Sequence, residues 1–145
     1  RPMPLEIPCL PSGEMAMLDV PGKVRLNGAP WSAEADDLGQ VSLGIAFDND
    51  DQWSAYLDAD RLPGPLALRT RRSGDSFQPL GLQGHSQSLV DFMAKAKIPK
   101  AWRDRLPILV SGEQIVWIPG WRLDHRTRLT EATQRVWRVR LLPGA

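Results

Sequence analysis

Eight cationic side chains gather between residues 66 and 107: Arg69, Arg71, Arg72, Lys95, Lys97, Lys100, Arg103 and Arg105. Only three acids, Asp75, Asp91 and Asp104, share that stretch. Fixed cations in such excess select a polyanion, and they do so without a nucleophile, a base or a metal. A strand over residues 66–72 would place Arg69 and Arg71 on one surface, about 7 Å apart, close to the spacing of successive phosphates. The other titratable groups offer no catalytic set. Cys9 is single, so it makes neither an internal disulfide nor a metal cluster, and no His neighbours it to form a thiolate. His85 and His125 fall in loop sequence without a paired nucleophile and read as surface residues. Asp58 and Asp60 lack a partner for acid/base work and read as a polar turn. Asp48-Asn49-Asp50-Asp51 opens like a calcium loop, but the required Gly and distal Glu are missing, so a solvated turn is expected. No phosphate-binding Gly-rich loop, zinc spacing or nucleophile elbow is present.

The elements that must carry the cations follow from periodicity. Residues 66–72 alternate, with Leu66, Leu68 and Thr70 on one face and Ala67, Arg69 and Arg71 on the other. Ser73-Gly74 turns the chain, and Asp75 either bonds its own backbone there or pairs with an Arg and orients it. Ser88 caps a helix, with Asp91 three residues on. Leu89, Phe92, Met93 and Ala96 form its apolar stripe, which is core. Lys95 and Lys97 sit at the favourable C-terminal end, Pro99 stops the helix, and residues 100–104 add one short turn.

Strands are expected elsewhere. Residues 15–35 read as a small meander with turns at Pro21-Gly22 and Asn27-Gly28, followed by an acidic loop over 35–39. Strands over 41–47 and 52–57 come next. Residues 108–110 and 114–118 pair as a hairpin, and the continuous apolar run Ile115–Ile118 suits a strand buried on both sides. Residues 135–141 close the fold, with Trp137, Val139 and Leu141 inward and Arg138 and Arg140 outward. Thirteen Pro, twelve Gly and six Trp among 145 residues favour short elements around large indoles. The expected class is mostly β with one or two short helices, sandwich-like (α+β).

Charge divides the chain. Residues 1–64 carry eleven acids and four bases, whereas residues 65–145 carry six acids and fourteen bases. Either the basic half has a partner or the halves neutralise each other within one fold. The chain is read as a Pro-rich linker (1–14), a β-rich acidic lead-in packed on the main domain (15–64) and a basic domain (65–145). The linker and the initial Arg1 suggest a piece of a longer protein. No apolar run is long enough to span a membrane, and no signal peptide is seen, so a cytosolic location is expected.

The run Arg69-Thr-Arg-Arg-Ser-Gly-Asp-Ser-Phe-Gln-Pro-Leu-Gly81 resembles the C-terminal region of bacterial tRNA(Ile)-lysidine synthases. That family carries Arg-x-Arg-x-x-Gly-Asp-x-Phe-x-Pro-Leu-Gly, then a Leu-x-Asp-Phe helix, Lys-Ile-Pro, an Arg-Asp pair before a Pro, and a strand ending in Trp-Val-x-Gly. Here these are Leu89 to Phe92, Lys97 to Pro99, Arg103-Asp104 with Pro107, and Trp117 to Gly120. Gly74, Asp75, Phe77, Pro79, Gly81, Asp91, Phe92, Pro99 and Asp104 are the motif positions. The sequence departs at Gln87-Ser88, where many members carry a Lys-Lys pair.

The resemblance implies a domain similar in fold to a piece of the phenylalanyl-tRNA synthetase β subunit. It implies a parent ligase that uses ATP and lysine to convert a wobble cytidine of tRNA(Ile) into lysidine. The catalytic Ser-Gly-Gly-x-Asp-Ser loop of the family's N-terminal domain is absent here, so no cofactor and no catalytic residue are expected on this piece. Its implied partners are tRNA(Ile), near the acceptor stem, and its own catalytic domain. The alternative is an interdomain or homodimer module with little RNA binding of its own.

Overall fold

The structure, a computed structural model, describes residues 7–27, 30–40 and 51–144. In chain order the strands are β1 (Met15–Leu18), β2 (Gly22–Leu26), β3 (Trp31–Gly39), β4 (Ser54–Asp58), β5 (Leu66–Arg69), β6 (Ser76–Phe77) and β7 (Gln87–Ser88). Helix α1 (Leu89–Lys95) follows, then β8 (Ile108–Ser111), β9 (Gln114–Ile118), β10 (Arg122–Leu123) and β11 (Val136–Pro143). Short 3₁₀ turns occupy Ala59–Arg61, Lys100–Trp102 and His125–Thr127.

Three layers result. One sheet runs β1-β5-β8-β9-β10, a second runs β2-β3-β11-β4, and β6-β7 form a small ribbon. Every pairing among the named strands is antiparallel. Leu66, Leu68 and Leu109 of the first sheet pack against Trp31, Leu57, Val139 and Leu141 of the second. The opposite face of the first sheet, with Ala67, Ile108, Val110 and Ile115, is covered by Phe77, Leu89, Phe92 and Met93. The first sheet is thus buried on both sides, as the apolar Ile115–Ile118 run predicts. The acidic and basic stretches share both sheets: β1 lies against β5, and β11 lies between β3 and β4.

Helix α1 has seven residues and could not persist alone. It is held by its stripe and its ends. Leu89, Phe92 and Met93 are buried, each stabilising by roughly 1.5–3 kcal/mol. Ser88 Oγ accepts the Asp91 N–H at 3.1 Å. At the other end Lys97 N–H donates to Ala94 O and Ile98 N–H to Met93 O, with Lys97 at φ 58°. This is a Schellman ending, with Lys97 where glycine is usual.

Three expectations are corrected. Residues 15–35 are not one meander, because β1 leaves β2 and pairs with β5 in the other sheet. The expected acidic loop at 35–39 is the end of β3, since the Arg residues opposite on β11 neutralise its acids. Residues 7–14 of the expected linker pack on the fold: Pro8, Cys9 and Leu10 are buried, and Leu10 N–H donates to Arg105 O at 2.8 Å. Arg69 and Arg71 do not share an open face, because β5 ends at Arg69 beneath the α1 layer. The strand over 41–47 and the turn at 48–50 lie outside the described residues.

Candidate nucleic-acid interface

The acidic stretch removes several arginines from any external role. Arg138 bonds Asp36 at 3.0 Å, Arg140 bonds Glu34 at 3.1 Å, and Arg135 bonds Asp37 at 2.6 Å. Burial disfavours the charged form of Arg138, but hydrogen bonds to Asp36 and Tyr56 outweigh it and raise its pKa. Internal neutralisation is therefore real, and among the described residues it runs along β3 and β11 of the second sheet. The cations it leaves over lie elsewhere.

The eight cations of residues 66–107 fall into three groups. Arg69 and Arg105 turn inward. Arg69 is 5% exposed and grips Asp75 in two parallel bonds of 3.0 Å. Burial so deep excludes a phosphate, so Arg69 is corrected from a contact residue to a structural one. Asp75 also accepts the Arg72 N–H at 2.7 Å, and its carbonyl accepts the Leu89 N–H at 2.9 Å. Asp75 thereby ties β5 and the turn after it through its carboxylate, and the start of α1 through its carbonyl. Gly74 makes that turn at φ 84°. Arg105 is half-buried and reaches Cys9 Sγ at 3.5 Å. Burial raises the Cys9 pKa against the opposing pull of Arg105.

Arg71, Arg72, Lys100 and Arg103 line one surface cleft of about 480 Å³, together with Ser73, Val90 and Asp104. Arg71 Nε bonds Asp104 at 2.8 Å and its Nη1 lies 4.0 Å from Met93 Sδ. Arg103 Nε bonds Ile98 O at 2.9 Å, which fixes its guanidinium at the end of α1. Arg72 and Lys100 are exposed, and no carboxylate pairs with Arg72, Lys100 or Arg103 among the described residues. Lys95 and Lys97 are exposed at the end of α1 and stand outside this cleft. The remaining motif positions are scaffold. Phe77 meets Phe92 edge-on at 5.1 Å, Pro79 bridges to Asp124, Gly81 turns at φ 101°, Pro99 precedes the Lys100 turn, and Asp91 stays exposed on α1.

Sequence reasoning missed Asp124. It is fully buried and accepts the N–H groups of Gln78 (2.9 Å) and Arg126 (2.8 Å), besides two guanidinium bonds of 3.0 and 2.9 Å from Arg126. It pins the Pro79-Leu80-Gly81 turn to β10, with Leu80 N–H on Leu123 O at 2.8 Å. The Asp-x-Arg spacing is the local signal for such a turn. His125, expected on the surface, is half-buried in the 3₁₀ turn that Asp124 caps, whereas His85 is exposed. Among the described residues no cluster of His, Cys, Asp or Glu could hold a metal, and no helix is long and apolar enough to cross a membrane.

The sequence profile of the TilS substrate C-terminal domain matches residues 66–141. The chain belongs to that family. It is 41% identical over 120 residues to a tRNA(Ile)-lysidine synthase of Symbiobacterium thermophilum, covering 83% of this chain and 24% of that one. It is 46% identical over 85 residues to the enzyme of the same name from Dehalococcoides mccartyi, covering 59% and 18%. The chain thus spans about a quarter or less of these relatives' length. In fold it is similar to a crystal structure of a TilS C-terminal domain, with TM-score 0.73 at 23% identity, covering 90% of this chain and 96% of that one. An N-terminal fragment of the phenylalanyl-tRNA synthetase β subunit from Pyrococcus horikoshii gives TM-score 0.55 at 16% identity, covering 94% and 46%. The mostly β architecture expected from the sequence is the family's fold.

Proposed function

We propose that this domain docks the acceptor stem of an isoleucine tRNA for a lysidine synthase. The single observation behind this is the cleft where Arg72, Lys100 and Arg103, which no carboxylate pairs among the described residues, converge with Arg71. Guanidinium and ammonium groups at fixed positions neutralise stem phosphates and read few bases. The ATP- and lysine-dependent ligation of the wobble cytidine belongs to the family's N-terminal catalytic domain. Docking a distant stem would help to position the reacting base there.

Binding of a tRNA(Ile) transcript across a salt series tests the reading. Four phosphate contacts correspond to a slope of log affinity against log salt of about −3 to −4. Arg72→Gln or Lys100→Gln should each reduce that slope by about 1. Absence of binding at low salt would refute it.

A second reading has its own observation. Met15 and Met17 are 46% and 55% exposed on β1, an edge of the first sheet. An apolar edge strand suits contact with another domain or a second copy. Light scattering that finds a dimer without RNA affinity would favour it.

A further inference from the structure

A second cleft, of about 420 Å³, opens beside β10 and has no role so far. Its size lies in the range of small-molecule sites. The buried Trp117 and the half-buried Tyr56, Trp121 and Leu129 line it. Arg122 and Arg128 line it as well.

The aromatic wall is fixed in place. Pro119-Gly120 turns the chain between Trp117 and Trp121, with Trp121 N–H on Ile118 O at 2.9 Å. Gly120 sits at φ 87°, and a Cβ there would lie 2.7 Å from the Trp53 ring. Preset ring faces lose little entropy on taking a flat ligand.

Two guanidinium groups share the lining with a single carboxylate, Asp51. Arg122 bonds the Leu80 carbonyl at 3.1 Å and lies 5.8 Å over the Phe92 ring. Arg128 bonds the His125 carbonyl at 2.7 Å and is half-buried. Neither has a carboxylate partner among the described residues. Each guanidinium has five N–H donors and uses one of them in these bonds. The cleft of Arg71 likewise holds one carboxylate, Asp104, but no aromatic ring lines its wall.

A ligand with a flat π face and an anion close beside it satisfies both halves of the site. A duplex stem hides its base faces, whereas an unpaired nucleotide presents one. We propose that this cleft holds an unpaired RNA nucleotide, the base against Trp121 and the phosphate on Arg122 and Arg128. The inference rests on the docking function proposed above and extends it. Helix α1 connects the two sites, since its Phe92 lies under Arg122 and its Val90 lines the basic cleft. Stem phosphates would occupy the basic cleft while an unpaired end occupies the aromatic one.

The test uses the whole chain and two labelled probes, a single-stranded RNA tetranucleotide and a blunt twelve-base-pair RNA duplex, followed by fluorescence anisotropy. Trp121→Leu and Arg128→Gln are compared with the unaltered chain, and thermal melts confirm that each variant folds. Trp121→Leu should lower the ratio of tetranucleotide to duplex affinity about fivefold to a hundredfold, the range of one lost stacking contact, and Arg128→Gln should lower the same ratio by removing a phosphate contact. Arg128→Gln keeps the test valid if Trp121→Leu misfolds. An unchanged ratio in a folded variant overturns the inference. So does duplex binding by the unaltered chain with no tetranucleotide binding, and the docking function then survives. If neither probe binds, both fall.

Discussion

Asp75→Asn removes one charge and almost no volume, and its effect can be worked out from the contacts. The Arg69 and Asp75 side chains are 6% and 11% exposed and meet at 3.0 Å. The substitution leaves a guanidinium enclosed without its counter-charge. Breaking one partner out of a buried pair costs about 3–5 kcal/mol. Asparagine keeps one oxygen for the Arg72 N–H, so the lower end applies, about 3 kcal/mol. For a domain of this size that lowers Tm by roughly 10 °C. A double-mutant cycle with Arg69→Met isolates the pair, because removing the cation makes the lost carboxylate cheaper. The double variant should then recover at least about 1 kcal/mol relative to the sum of the two singles. Differential scanning calorimetry and urea titration give both numbers. A Tm loss under about 2 °C, or additivity within about 0.5 kcal/mol, would refute the claim that this pair holds the turn carrying Arg71 and Arg72.

Three other perturbations test separate parts of the fold. Gly120→Ala forces a Cβ to within 2.7 Å of the Trp53 ring at a left-handed φ, so chemical denaturation should show a loss of about 1–3 kcal/mol. Lys97→Gly relieves the left-handed backbone at φ 58° and should gain about 0.5–1 kcal/mol in the same assay, while lowering the salt slope of tRNA binding if the ammonium is used. Burial raises the Cys9 pKa, so the folded state keeps its thiol proton where the unfolded chain has lost it. Stability should therefore fall as pH rises beyond the ordinary thiol value of about 8.5, and Cys9→Ala should flatten that decline in melts at pH 8 to 10.

Local chemistry in the sequence was a good guide where the structure is local. Ser88 as cap, the Leu89–Phe92–Met93 stripe, Pro99 as stop and the β8–β9 hairpin all follow from spacing within a few residues. The failures come from pairings that no window sees. Glu34, Asp36 and Asp37 are poor strand formers, and only their partners on β11 make a strand of them. Alternation put Arg69 on the second face of β5 correctly. Whether that face meets water depends on α1 returning to cover it, and Asp75 was the available hint. The basic cleft was half legible for the same reason. Its residues were named, but the division of eight cations into a cleft group, an inward pair and two helix-end lysines required the tertiary structure.

The position of β11 has a consequence for how the chain is made. Residues 136–143 lie between β3 and β4, pairing with Trp31–Gly39 on one side and Ser54–Asp58 on the other. The ion pairs that join β11 to β3 link residues 102 and 106 positions apart. On a ribosome adding about 5–20 residues per second, β3 waits roughly 5–20 s for its central neighbour. During that interval its edge has no mate on this side, and Trp31, Ala33 and Ala35 have no opposing β11. The second sheet therefore lacks an inner strand until residues 136–143 emerge, and a stop codon anywhere before residue 136 yields a chain in which β3 and β4 cannot be joined.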